Sequence, residues 1–137
     1  MANTYYTRGF GHVGRGDITL NDAGTAQLRA ALLDLTAYTP DFVADEVLAD
    51  IPGAAVISDV AVTGQAFGLD GALTVDAFTF PTVWGVPSCA AMVFYAVTGG
   101  GSYLLLYFDT ATGLPVTPTG GDVVVTPAAN IFAFGGA

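Results

Sequence analysis

Along this chain the apolar residues fall into short runs that glycine and proline cut at spacings of about 8 to 15 residues, the rhythm of strands and turns. Ala54 to Thr63 is rich in Val and Ile, and Ala72 to Phe80 alternates. Cys89 to Thr98, Tyr103 to Asp109, Asp122 to Thr126 and Asn130 to Phe134 complete the later strands. Asp17 to Leu20 reads as an earlier strand closed by the turn Asn21-Asp22-Ala23-Gly24. The run AQLRAALLDL fits either period. Leu28, Ala30 and Leu32 alternate, Asp34 falls on an outward position and Thr36 to Pro40 end the run, so a strand from Gln27 to Leu35 is predicted. One segment, DFVADEVLADI, has mainly helical spacing, with Phe42, Val43, Val47 and Ile51 apolar and Glu46 the polar exception. Thr39 or Asp41 can cap it, and Pro52-Gly53 stops it. The pattern predicts a mostly β, antiparallel β-sandwich or barrel-like domain with one short α-helix at about residues 41–51.

Residues 1–16 differ from the rest. Tyr5, Tyr6, Phe10 and His12 are interleaved with Gly9, Gly11, Gly14 and Gly16, a mixture without a period that is not expected to form a helix or a packed strand by itself. The segment reads as a glycine- and aromatic-rich arm, disordered or ordered on a neighbour, ahead of a single β-rich domain at 17–137. Its aromatic residues are candidate partner contacts, because aromatics are favoured interface anchors. Trp84 joins them: it lies in the loop Phe80 to Pro87, which Pro81 and Pro87 stiffen. The candidate contact set is therefore Tyr5, Tyr6, Phe10, His12 and Trp84.

Charge narrows the partners. Twelve acidic residues oppose three Lys and Arg, all arginine, for a formal net charge of −9, a field that repels nucleic-acid backbones and anionic lipid. Charged residues make up only 11% of the 137 residues, and mean hydropathy is +0.59, a surface composition that expects cover by other protein. No charge occurs between Asp76 and Asp109, yet Gly and Pro leave that window no apolar piece beyond about ten residues, against about 20 for a membrane span. The N-terminus MANTYYTRGFGHVGRG lacks the apolar core of a signal peptide, which leads to the expectation of a protein made and assembled in a cytoplasm.

Candidate chemistry is sparse. One His and one Cys, His12 and Cys89, do not make a zinc site, and Cys89 among SCAAMVFYAV is expected to be a buried, inert thiol. Asp41, Asp45, Glu46 and Asp50 lack the ligand order of a calcium loop and read as a solvated face. Gly9-Phe10-Gly11 and Gly99-Gly100-Gly101 lack the lysine and the strand-loop-helix setting of a phosphate cradle. Arg15-Gly16-Asp17 spells an adhesion tripeptide, but opens a strand rather than tipping a long loop. The expectation is a non-enzymatic protein with no cofactor and no metal.

The order of segments LLDLTAYTPDFVADEVLADIP, AAVISDVAVTG, AMVFYAVTG, YLLLYFDTATGLPVTPTGGDVVV and NIFAF resembles a family of small tailed-phage and prophage virion proteins, over about Ala26 to Phe134. Thr112 to Asp122 carries most of that likeness, supported by the Asp50-Ile51-Pro52 ending, and the first 16 residues depart from the pattern. The resemblance implies a structural role on the virion: a head decoration (cement) protein on the outside of the major capsid protein lattice, homo-oligomeric, with trimers the arrangement common at threefold positions. A tail or fibre component, or a module that binds host glycans, is the alternative.

Overall fold

The computed structural model describes residues 4–18, 27–69, 72–84, 91–98, 101–109, 119–126 and 131–133. Strands are β1 (Thr4–Tyr5), β2 (Gln27–Leu33), β3 (Val56–Ala61), β4 (Ala66–Phe67), β5 (Ala72–Thr74), β6 (Phe78–Phe80), β7 (Ala91–Thr98), β8 (Gly101–Phe108), β9 (Val123–Val125) and β10 (Phe132–Ala133). The helix α1 spans Thr7–Gly14, and short 3-10 turns occupy Leu48–Asp50 and Gly53–Ala55. Five strands form the main sheet in the order β1-β8-β7-β2-β3, every pair antiparallel. A three-stranded sheet β10-β5-β4 and the pair β6-β9 lie apart from it, so the fold is mostly β and sandwich-like.

Period-two alternation divides the main sheet into two apolar faces. Leu28, Ala30, Leu32, Met92, Phe94 and Phe108 point to one face, where Leu73, Phe78, Phe80, Val123 and Val125 of the small sheets cover them. Edge-to-face ring contacts run from Phe80 to Phe78, Phe94 and Phe108. Ala31, Leu33, Val93, Tyr95, Leu104 and Tyr107 point to the other face, beneath Tyr6, Tyr38, Ile51 and Ala55. Between Phe94 and Tyr95 the β7-β8 register shifts, so Leu105 has no direct partner and sits beside Leu106 on the first face. Both faces being buried explains why β7 and β8 read as nearly unbroken apolar runs rather than alternating ones.

The helix stands elsewhere than its pattern suggests. Residues 41–51 form a turn at 42–44, an extended piece and the 3-10 turn Leu48–Asp50, not an α-helix. Their aspartates divert the backbone. Asp41 accepts from the N–H of Val43 and Ala44, and Asp50 accepts from those of Glu46 and Val47, closing two local turns in place of a continuous ladder. Glu46 then accepts from the Leu104 N–H and Val47 bridges Tyr103, so this stretch joins the edge of β8.

The first 16 residues correct a second expectation. Far from needing a neighbour, Thr4–Tyr5 pairs with β8 and Thr7–Gly14 is the α-helix. Gly9 makes that docking possible: a Cβ there would stand 2.8 Å from the Leu104 carbonyl carbon and closer still to its oxygen, so only glycine lets the helix backbone lie on the strand. Smaller differences follow the same logic. Strand β2 ends at Leu33, and Asp34, read as an outward position, is buried and accepts from the Thr36 N–H and hydroxyl to turn the chain. The alternating run 72–80 is two strands in different sheets. Ile18 is buried without strand geometry, while Thr19, Leu20, Cys89, Gly99-Gly100 and most of the Thr112 to Asp122 tract lie outside the described residues.

Candidate interaction surface

Five residues were expected to meet a partner, and the fold sends them to different places. Tyr6 leaves the set: it is wholly buried, its ring tilted against Phe42, because the chain turns inward between β1 and α1. Its N–H bonds the Leu105 carbonyl, and its hydroxyl meets that of Tyr38 at 2.9 Å. Tyr38 donates to Asp45 Oδ2 at 2.6 Å, which leaves the Tyr6 hydroxyl as the donor between the two rings. Burial pushes both phenol pKa values far up, so this chain of bonds stays neutral at its phenols and anchors the N-terminal segment.

Tyr5 and Phe10 remain near the surface. Tyr5 is 48% exposed and meets Phe10 edge-on, while Phe10 is half-buried against the core with Val13. His12 sits between two carboxylates: Nδ1 lies 2.8 Å from Asp17 Oδ2 and Nε2 2.8 Å from Glu46 Oε2, with its ring over that of Tyr103. The hydrogen bonds to Glu46 and Asp17 raise the imidazole pKa, and the bonds from His12 hold both acids below the ordinary carboxylate range. Arg8 completes the group, with Nε on the Val43 carbonyl at 3.1 Å and Nη1 3.4 Å from Glu46 Oε1. Arg15-Gly16-Asp17 closes the end of α1 rather than opening a strand; Gly16 has φ +84, and Arg15 Nε is 3.7 Å from Asp17.

Trp84 is the most exposed of the five. It is 66% exposed and lies beyond β6 against Gly120, where a Cβ would come within 2.5 Å of Trp84 Cε2. Gly120 also has φ +88, so two constraints reserve the position for glycine. Paired bonds of Val83 N–H to Gly121 and of Gly120 N–H to Val83, together with the Thr82 N–H to Asp122 Oδ1, lock the two segments beneath the indole. Next to it in the pair β6-β9, Val124 faces outward at 55% exposure, opposite Thr79. A rigid aromatic with one side on backbone and the rest in water is the form an interface anchor takes.

Two further features went unseen in the sequence because each joins distant segments. Arg29 of β2 donates to Asp59 at 2.7 Å and to the Tyr95 hydroxyl at 3.2 Å, and Tyr95 donates to Asp59, a polar cluster spanning β3, β2 and β7. Burial and the bond to Asp59 push the Tyr95 phenol up to about 12. A shallow groove of about 690 Å³ lies along Val47, Leu48, Ile51, Val56, Gly101 and Ser102. Its lining is almost entirely apolar, suited to an apolar side chain and not to bond chemistry. Among the described residues, no three His, Cys, Asp or Glu side chains group as metal ligands, and no helix is long and apolar enough to cross a membrane. No family model matches the chain, and no curated protein matches it either.

Proposed function

We propose that this chain is a non-enzymatic structural protein of a tailed-phage virion, a head decoration protein that binds the outside of the major capsid lattice. The observation that carries the reading is the ordered set of segments ending in the Thr112 to Asp122 tract, which resembles small phage virion proteins. The geometry supports a binding rather than a catalytic part. Trp84 and Val124 project from a locked strand pair, and a chain without lysine carries few charges to keep apolar surface apart. Many modest contacts of that kind, repeated by the symmetry of a shell, hold through avidity. Imaging of purified virions tests it: density for this chain on the capsid exterior is the expected result, and density confined to the tail refutes the assignment.

The exposed indole of Trp84 favours a second reading, a tail or fibre module that stacks host sugars on that ring. A glycan array separates the two, since binding above background that is lost in Trp84→Ala belongs to the second reading alone.

A further inference from the structure

We propose that a pocket on the outer face of α1, between Arg8 and Arg15, receives a carboxylate from an acidic side chain of a partner protein. The pocket has a volume of about 190 Å³ and is lined by Arg8, Gly11, His12, Arg15 and Glu46. Arg8, Gly11 and His12 of α1 and Arg15 at its C-terminal end are spaced i, i+3, i+4 and i+7, so the two arginines bracket Gly11 and His12 across about 10 Å of axis.

The first argument is donor supply. A guanidinium carries five N–H donors. Arg29 is committed to Asp59 and Tyr95, and among the described contacts Arg8 uses Nε and a long 3.4 Å approach of Nη1, while Arg15 has only its 3.7 Å approach to Asp17. The side chains of Arg8 and Arg15 are 56% and 75% exposed. In a chain with three cationic side chains, the two with donors to spare share one pocket.

The second argument is Gly11. Glycine inside a helix is markedly less favourable than alanine. Gly9 offsets that cost by seating α1 on β8, but nothing lies within 4 Å of where a Gly11 Cβ would stand. The packing of this chain requires a glycine neither there nor at Gly14, but of the two only Gly11 lines the pocket, where a methyl would occupy the floor between the two arginines.

The lining also selects the ligand. Glu46 forms one wall and Asp17 lies behind His12, so any entering anion meets two carboxylates; a doubly charged phosphate meets about twice the repulsion of a singly charged carboxylate, which still fits the planar guanidinium fork. The volume holds a carboxylate with one or two methylenes, well short of a drug-sized ligand. Val43, whose carbonyl holds Arg8, is 67% exposed and supplies an apolar rim on which the rest of a polypeptide can rest. The net charge of −9 repels an acidic partner at long range, but screening confines that repulsion to about 8 Å at physiological salt, leaving the pocket to decide. This inference stands apart from the shell reading, since a pocket of this chemistry serves any protein partner.

Titration of the full, 15N-labelled chain with a capped hexaglutamate peptide tests it by NMR, with the hexaglutamine peptide and sodium acetate as parallel arms. Saturable shifts of the 8–15 amides and the Arg8 and Arg15 Nε–H groups with hexaglutamate are expected, with much weaker responses to the other two. The pair Arg8→Gln with Arg15→Gln should lower the association constant about tenfold or more. Gly11→Ala should raise the melting temperature while weakening binding, a combination that loss of fold cannot imitate. Shifts of the same resonances on concentrating the chain alone, lost in Arg15→Gln, support the pocket with a second copy as partner. Absence of saturable shifts, equal response to hexaglutamine, or unchanged binding in the arginine pair overturns the proposal, and equal affinity for acetate overturns its assignment to a protein side chain.

Discussion

Replacing Gly9 with alanine asks whether α1 is seated on β8, because local and tertiary terms predict opposite signs. In a free helix the change stabilises by about 1 kcal/mol. On β8, the new methyl would lie 2.8 Å from the Leu104 carbonyl carbon, nearer its oxygen, and 3.2 Å from Leu105 Cδ2. Backbone cannot rotate out of the way, so the helix has to lift. Forcing a methyl into packed surroundings costs about 1 to 3 kcal/mol. Lifting also strains the 2.8 Å bond from the Tyr6 N–H to Leu105, worth about 1 kcal/mol, and uncovers part of a fully buried tyrosine, worth about 2 kcal/mol in full. A net loss of about 2 to 5 kcal/mol follows, equivalent to a fall in Tm on the order of 10 °C for a chain of this size. Urea unfolding of Gly9→Ala beside Gly11→Ala is the assay, since the second change meets open space and should stabilise. A Gly9→Ala protein as stable as the parent, or more so, would refute the docked helix.

Three other outcomes follow from the same packing. Tyr6→Phe removes a donor whose acceptor, Tyr38, keeps its bond to Asp45, and should cost about 1 kcal/mol in urea unfolding; Tyr38→Phe strands the buried Tyr6 hydroxyl and should cost about 2 to 3 kcal/mol. His12, with its pKa raised from 6.5, contributes stability that is complete below that pH and lost as pH rises through the raised value, whereas Asp17 and Glu46, lowered from 3.8 and 4.5, contribute above those values and lose it as pH falls through the lowered ones. Denaturation midpoints should therefore peak between about pH 5 and 6.5, and His12→Gln should flatten both limbs of the profile. Gly120→Ala places a Cβ against the indole of Trp84, the only tryptophan, so its emission maximum should shift while far-UV circular dichroism stays unchanged.

How much of the fold was legible follows from what kind of contact each element needs. Strands β2, β3, β7, β8 and β9 were found in the sequence to within a few residues, because their own alternation or apolar run states that they are buried. That Trp84 lies on the surface was legible for a local reason too, since two prolines mark its loop; its seat on Gly120 was not, being 36 residues away. Tyr6 was misplaced because a tyrosine among glycines carries no local sign that a hydroxyl at Tyr38 awaits it.

The two larger misreadings, the arm and the helix at 41–51, have one physical cause. Strand β8 sits next to the end of the main sheet, and its outer row of N–H and C=O groups needs partners or cover. One long strand would do this; the chain instead uses three pieces in succession along β8. Tyr5 faces Leu106, the Tyr6 N–H reaches Leu105, α1 lies over Leu104 at Gly9, and Glu46 and Val47 take Leu104 and Tyr103. Each piece is too short to show a period, and each takes its conformation from an acceptor or donor some 55 to 100 positions later, where propensity is overridden. The same division of labour explains why α1 and its C-terminal end can expose Arg8, Gly11 and Arg15. A continuous edge strand would commit its backbone to pairing, whereas a helix satisfies its own ladder and meets the sheet through Gly9, with Phe10 and Val13 packed against the core, leaving the opposite face exposed.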